Sequence, residues 1–563
     1  MRGPAPVQGP VEAPSSSGPA VAEVGRGSHP VSSLHPIACL VSSTVPNLAT
    51  LSVPSNYLSP NLQRIWTPEI KMPKLQVIEL RPKGWENDPA DEFLKLAPLD
   101  YCVGQVYTNW GLFFKLSDSA DHKAIINTLQ RGLEVTLSQC RQLCGHIEAH
   151  PGGGLCFHKK RESTVEFHVQ WLDGPEDEGK YPTFADLEKL HFTTQSLGNL
   201  DTWCVAPMTY GEKPEAQPTN HPKVSAFKAS FIRGGMVFMM HNHHYANDIN
   251  GWAGEMYQLA ENCAAVWKSP DNPAYPPWDP ACLDYSPISK PDPEQLVEGP
   301  ASPSKHPDHK VSQWLLFHLP KSKAAELKNM ASPDDGSYWI SSYDAYTAYI
   351  WRMLSKHRAT LFKPDLNGNL LWGEAVNMRT RIHNPPLPQR IQGNVVYVPL
   401  SMNNPTPQLT TGEVISEAPL SKLAWYNRQL TNSSTQENLD AMLTQVAAVR
   451  DKTTLFLRMD SFPPMSNITT DWRDSKPYDA DFGFGKPYAF RHPFDTVTTG
   501  YVIIYPERKN GGPAGADEGN EILIGFEKDA TKSLLEDPEW NKYFEFRGVD
   551  GEEKANVGAV HAI

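Results

Sequence analysis

From Asp121 to Ile147 the apolar residues Ile125, Ile126, Leu129, Leu133, Leu137 and Leu143 recur at helical steps, which predicts an amphipathic helix with one buried stripe. Further on, Val224–Ile232 and Met236–Met240 are strand-like runs joined by Arg233-Gly234-Gly235. Glycine accepts positive φ, so the pair predicts a β-hairpin. Its second strand leads straight into His241-Asn242-His243-His244. Beyond the histidines, Trp252, Met256, Leu259, Cys263 and Val266 return to helical spacing. The polar cluster therefore lies at a strand-to-helix junction, where side chains reach the edge of a sheet.

The second half begins with an apolar strand over Val311–Leu319. A helix follows from Ser341, which has capping-box spacing to Asp344, with Asp in place of the usual Glu. Lys356, His357 and Arg358 are expected in its last turn, where cations suit the negative end of the helix dipole. Strands are predicted at Leu370–Asn377, Val395–Met402, Thr496–Tyr505 and Glu521–Phe526, with helical segments among them. Such alternation indicates mixed α/β layers in both halves.

Two stretches break the pattern. Residues 1–60 are rich in Pro, Ser, Gly and Ala without a sustained period, and are expected to form a disordered tail. Residues 269–310 are again Pro-rich, and repeated loss of backbone donors makes them the natural crossover between domains. A chain of 563 residues exceeds what one hydrophobic core usually serves. Two domains are thus expected, at 61–268 and 311–563, with a cleft between them.

Composition removes several function classes. A formal charge of -13 argues against nucleic acid and anionic membrane as partners. No apolar run reaches the roughly 18 residues of a membrane span, and no signal peptide is evident. Eight cysteines are scattered without CxxC pairs and are expected to be reduced core thiols of a cytoplasmic protein. A monomer is expected.

The histidines hold the candidate chemistry. A hydroxyl has a pKa far above neutrality, so transferring a group to it requires a base that titrates near pH 7. His244 is suited to that task, and Asp248, four residues on, can fix the local frame. Three other readings compete. A zinc site of HxHxDH type would need Asp and His where Tyr245 and Ala246 stand. The histidines can instead be satisfied polar groups at a strand end. A cysteine nucleophile would need a nearby histidine, and none is evident locally.

His243-His244-Tyr245-Ala246-Asn247-Asp248 resembles the HHxxxD signature of the superfamily that holds BAHD acyltransferases, chloramphenicol-acetyltransferase-like enzymes and peptide-synthetase condensation domains. Far downstream, Asp481-Phe482-Gly483-Phe484-Gly485 resembles the BAHD motif DFGWG, with Phe484 in place of Trp. Between them Asn377-Met378-Arg379-Thr380-Arg381, Pro385-Pro386-Leu387-Pro388 and Gly393-Asn394 resemble the family's NxRxR, PPLP and GN elements. Pro98-Leu99-Asp100 is similar to the family's strand opening, and the stretches 341–358 and 466–485 are most similar to the fungal branch of trichothecene 3-O-acetyltransferases.

The resemblance implies an α/β fold of two chloramphenicol-acetyltransferase-like domains with an active-site channel between them. It implies His244 as general base, with Asp248 turned away to pair with Arg379, and Asp481 on a supporting loop distant from the chemistry. Acetyl-CoA would be the co-substrate and a small-molecule alcohol the acceptor, a trichothecene-like terpenoid or an alkaloid. No metal or permanently bound cofactor is implied. Ser466 and Trp472 are candidate donors to the oxyanion. The alternatives are a free-standing condensation enzyme using carrier-bound thioesters, disfavoured by Ile249 where such domains carry Gly, and a binding protein that has lost its chemistry.

Overall fold

The computed structural model describes residues 74–403, 406–509 and 512–553, and the expected tail at 1–60 lies outside them. The strands in chain order are β1 (Lys74–Leu80), β2 (Asp91–Lys95), β3 (Tyr107–Lys115), β4 (His146–Ala149), β5 (Leu155–Lys160), β6 (Val165–Trp171), β7 (Ser225–Ile232) and β8 (Gly235–His243). After the crossover come β9 (Ser312–Leu319), β10 (Trp372–Asn377), β11 (Val396–Tyr397), β12 (Asn467–Asp471), β13 (Ala489–Arg491), β14 (Tyr501–Ile504), β15 (Asn520–Glu527) and β16 (Glu545–Glu552). The helices used below are α1 (His122–Gln139), α2 (Phe184–Lys189), α3 (Thr194–Leu197), α4 (Ile249–Lys268), α5 (Lys321–Ala331) and α6 (Ser342–Phe362).

Two large mixed sheets organise the chain. The first has the order β1-β6-β7-β8-β3-β13, the second β11-β10-β12-β14-β15-β9-β16, and β2-β5-β4 form a small third sheet. The short strand β13 comes from beyond residue 311 yet pairs with β3, Phe490 facing Leu112. The first sheet is thus completed by the second half of the chain.

The predicted hairpin is β7–β8, with Ile232 opposite Gly235 and Gly234 at φ 77°. Helices α1 and α4 lie together over one face of this sheet. A Cβ added to Gly132 would fall 2.4 Å from Cys263 Sγ, so glycine is what permits the close approach. Their stripes, Leu129 and Leu133 with Trp252 and Leu259, join Phe227 and Phe238 in one core.

Strands of the second sheet serve two cores at once. Trp314 and Leu316 of β9 face the first core, while Leu315, Phe317 and Leu319 face the second. Burial on both faces explains why Trp314–Phe317 reads as a continuous apolar run instead of an alternating one. The sheets are also joined by charge: Arg491 Nη2 of β13 donates to Glu521 Oε2 of β15 at 2.7 Å, with both side chains buried.

Several sequence expectations need correction. The helix predicted over 121–147 ends at Gln139; Cys140 leaves helical geometry and Ile147 lies in β4. Pro98-Leu99-Asp100 opens a 3-10 turn, Pro98–Cys102, and not a strand, because Asp100 Oδ2 accepts the Ala97 N–H at 2.8 Å. The strand expected at 395–402 shrinks to β11 and that at 496–505 to β14. Pro399 cannot donate to a ladder, and Gly500 at φ 75° turns the chain just before β14.

The capping box of α6 is present, with Ser341 accepting from Asp344 N and Asp344 from Ser341 N. Lys356, His357 and Arg358, however, are not its last turn. The helix runs on to Phe362 and stops at Lys363, which adopts φ 49° before Pro364. Arg358 is fully buried, donating to Glu527 Oε2 and Asn467 Oδ1, each at 2.6 Å. A tertiary ion pair, and not the helix dipole, accounts for that cation.

Candidate functional site

Strand β8 carries His241 and His243 and runs directly into His244 at one end of the first sheet, and the three environments differ. His241 Nε2 accepts from Val205 N at 3.1 Å, and its Nδ1 lies 2.8 Å from the Asn109 side chain. His243 Nε2 donates to Ala216 O at 2.9 Å while its Nδ1 accepts from Tyr245 N at 3.1 Å. Both rings are fully buried, and burial pushes each imidazole down to about 3, so both are neutral structural groups.

His244 is different: it retains exposure, and its buried Nδ1 has no hydrogen-bond partner among the described residues. The accessible part of its ring is therefore the side carrying Nε2. Burial also holds this imidazole below its ordinary value, opposed by the charge of Asp248. A neutral ring with an open nitrogen can accept a proton. The backbone is held at both ends, with His244 N donating to Val106 O at 2.9 Å and His244 O accepting from Asn394 Nδ2 at 3.0 Å.

Asp248 is the N-cap of α4. Its Oδ1 accepts from Asn250 N at 2.9 Å and Gly251 N at 2.8 Å, satisfying donors that a helix start leaves orphaned. Its Oδ2 accepts from Arg379 Nη1 at 2.9 Å and Val395 N at 2.8 Å. Four donors thus occupy the two oxygens of this carboxylate.

The segment bearing Arg379 and Gly393-Asn394 clasps the histidine loop from the second half of the chain. Arg379 also donates to Ile391 O and Gly393 O, which fixes the clasp to itself. Asn247 Oδ1 accepts from Gly393 N at 2.8 Å. A Cβ on Gly251 would lie 2.5 Å from Gly393 O, so no larger residue fits where the two segments meet. Asn394 Nδ2 reaches three acceptors: His244 O, Tyr245 O at 3.2 Å, and Asp100 Oδ1 at 2.9 Å. Burial pushes the Asp100 carboxyl up to about 7, although the Asn394 bonds favour its charged form.

Asp481 lies elsewhere. It is exposed and, among the described residues, accepts only from Gly483 N, at 2.9 Å. Gly483, at φ 87°, sits against Trp267 and Ala264 near the far end of α4. At 1.5 Å per residue that is about 22 Å from Ile249, and Phe482 and Phe484 pack there on Phe114. The motif docks a loop onto a helix end.

Both candidate oxyanion donors are committed locally. Ser466 Oγ donates to Pro463 O at 2.7 Å, and Trp472 Nε1 to Thr470 Oγ1 at 3.1 Å. Trp472 instead joins an aromatic cluster with Trp110 and His492, each with its ring centroid about 5 to 6 Å from its neighbours. Burial pushes the thiols of Cys102, Cys144 and Cys204 up to about 12, leaving none of them an activated nucleophile. Among the described residues no group of His, Cys, Asp or Glu is placed to hold a metal ion.

Sequence reasoning passed over Asn394, Asp100, Asn247 and His492. The first three stand inside the quoted motifs, but an amide or a lone acid carries no chemical signature until its partner is known.

Comparison with known proteins adds the lineage. The profile of the Transferase family matches residues 191–538, and that of the trichothecene 3-O-acetyltransferase-like N-terminal domain matches 106–263. Acetyltransferase FGR3 of Gibberella zeae is 53% identical over 481 residues, covering 85% of this chain and 95% of its own. Trichothecene 3-O-acetyltransferase TRI101 of Fusarium sporotrichioides is 23% identical, covering 79% and 94%. Among solved structures, F. graminearum TRI101 with ethyl coenzyme A superposes with a TM-score of 0.66 at 21% identity, over 81% of this chain and all of that one. Vinorine synthase follows with a TM-score of 0.59 at 19% identity, over 84% and 99%. The chain belongs to the Transferase family and is an acyltransferase.

Proposed function

We propose that the chain is an O-acetyltransferase that moves an acetyl group from acetyl-CoA to a hydroxyl of a fungal secondary metabolite, with His244 as general base. The observation that carries this reading is the contrast within the cluster. His241 and His243 are buried, neutral and fully bonded, whereas His244 keeps one ring nitrogen open on a backbone braced from both halves of the chain.

In the reaction His244 removes the hydroxyl proton as the oxygen attacks the thioester carbonyl. The tetrahedral oxyanion then collapses, the C–S bond breaks, and the CoA thiolate takes the proton back from the imidazolium. No covalent enzyme intermediate is required, so donor and acceptor react in a ternary complex. The choice of donor and acceptor draws support from the relatives, which include trichothecene 3-O-acetyltransferases and a TRI101 structure holding coenzyme A and T-2 mycotoxin. A terpenoid or alkaloid of that size and polarity is the acceptor class proposed. Cytoplasmic placement belongs to the same proposal; Cys102, Cys140, Cys144, Cys156, Cys204, Cys263 and Cys282 are free thiols, and no helix among the described residues is long and apolar enough to cross a membrane.

The test is thiol release by the purified chain from acetyl-CoA and longer acyl-CoAs, with and without a panel of hydroxylated terpenoids and alkaloids. Release that requires an acceptor and is greatest with acetyl-CoA supports the proposal. Folded protein that releases thiol only from carrier-bound thioesters would replace it with the condensation reading.

A further inference from the structure

Glu255 lies in α4 within two turns of its start and is fully buried. Its Oε2 accepts from Asn242 Nδ2 at 2.7 Å and from Asn247 Nδ2 at 2.9 Å. The first asparagine precedes His244 by two residues and the second follows it by three. Glu255 therefore grips the catalytic loop on both sides of the base. Through Asn247 the grip continues to Gly393 N in the clasp.

One detail of this arrangement does not fit a carboxylate. Among the described residues Glu255 Oε1 is buried without a partner, and so is Asn242 Oδ1, although the two side chains are already joined through their other atoms. Two acceptors cannot satisfy one another, and each buried orphan calls for an explanation. A single proton on Oε1 converts the pair into a donor and an acceptor.

The charges around Glu255 do not favour the ion. Titratable groups on the surrounding elements include His241 and His243 of β8 with His244 beyond it, Cys140 after α1, and Asp248 with Arg379. On its own helix Glu261 is paired with Arg390. Asp248 and Arg379 neutralise each other, burial keeps the three imidazoles low, and burial keeps the Cys140 thiol high. Among the described residues Glu255 forms no ion pair.

We propose that Glu255 is a protonated, neutral positioning residue: its acid O–H donates to Asn242 Oδ1 while Asn242 Nδ2 donates to its Oε2, and this closed pair holds the loop that carries His244. Burial pushes the Glu255 carboxyl up to about 8, even though its two asparagine bonds favour the ion, in keeping with a group that holds its proton at neutral pH. Losing that proton would place a net charge and two surplus acceptors behind the general base. The inference rests on His244 being that base.

Two measurements on the full chain test it. Infrared difference spectra of wild type against Glu255→Gln at pH 7 should show a protonated carboxylic acid band that the variant lacks; a carboxylate band in its place would overturn the proposal. The second is the pH profile of thiol release. Wild-type kcat should fall above about pH 8. Glu255→Gln, whose amide supplies the same donor and acceptor, should carry its activity at least about one pH unit higher. Glu255→Ala should lose at least about tenfold in kcat with little change in the KM for acetyl-CoA, and Gln should restore most of that loss.

An alkaline fall shared by wild type and Glu255→Gln, or a Gln variant as impaired as Ala, would overturn the positioning role. If Glu255→Ala does not fold, the Gln comparison decides. If no donor releases thiol, the acyl-transfer reading and the positioning role fall together, while the infrared band still decides the proton.

Discussion

Arg379 Nη1 donates to Asp248 Oδ2 at 2.9 Å, and the two side chains come from opposite halves of the chain. Asp248 is also the N-cap of α4, so one carboxylate fixes the helix start, the histidine loop and the clasp together. Asparagine is an equally good cap, so Asp248→Asn keeps the helix start while breaking the contacts of Oδ2 with Arg379 and Val395 N. It should lower unfolding free energy by about 3 kcal/mol, the scale for leaving one partner of a buried pair alone, as read by urea denaturation. Intact stability with abolished turnover would show that Asp248 acts in the chemistry instead.

Removing the proposed general base should leave the fold untouched. His244→Ala is expected to lower kcat at least about a hundredfold with an unaltered denaturation midpoint. Because burial holds His244 below its ordinary value, the acid limb of kcat/KM should lie below about pH 6.5. Near-normal turnover in the variant would remove His244 from the mechanism.

Asn394 serves three acceptors with one amide group, so its loss is felt at the loop and at Asp100 together. Asn394→Ala should cost about 1–3 kcal/mol of stability by leaving buried carbonyls unpaired. Turnover should fall with it, since the carbonyl of His244 is one of the freed groups. The measurement is thiol release beside denaturation; a destabilised variant with full turnover would confine Asn394 to a structural part.

Glu521 ties the two sheets through a buried cluster with Arg491 and Arg547. Burial alone would raise its carboxyl, but the guanidinium groups of Arg491, Arg508 and Arg547 outweigh burial and hold it far below its ordinary 4.5. An acid depressed on folding stabilises above its unfolded pKa, and that contribution is lost as pH falls toward the folded value. Wild type should therefore lose stability progressively below about pH 4.5, and Glu521→Gln should be weaker at pH 7 by about 3–5 kcal/mol with a flatter acid dependence. Parallel acid titrations of both proteins, followed by circular dichroism, would check this; equal slopes would dismiss the cluster as the acid-sensitive joint.

The chain's linear pattern determined the hairpin into His244, helix α4 behind it, the capping box at Ser341, and the order of the HHxxxD, NxRxR and DFGFG elements, because periodicity and short motifs are local properties. Where an element stops was less legible. Lys363-Pro364, and not the cations before it, ended α6, and Asp100 turned a supposed strand into a 3-10 turn, because termini depend on partners that hydrogen-bond from elsewhere. Only the tertiary structure decided that β13 crosses to the first sheet, that Asn394 braces the carbonyl of His244, and that Glu255 stands behind the loop with an unpartnered oxygen. Those contacts join residues far apart in sequence, and an amide or a buried acid takes its meaning from the atoms placed opposite it.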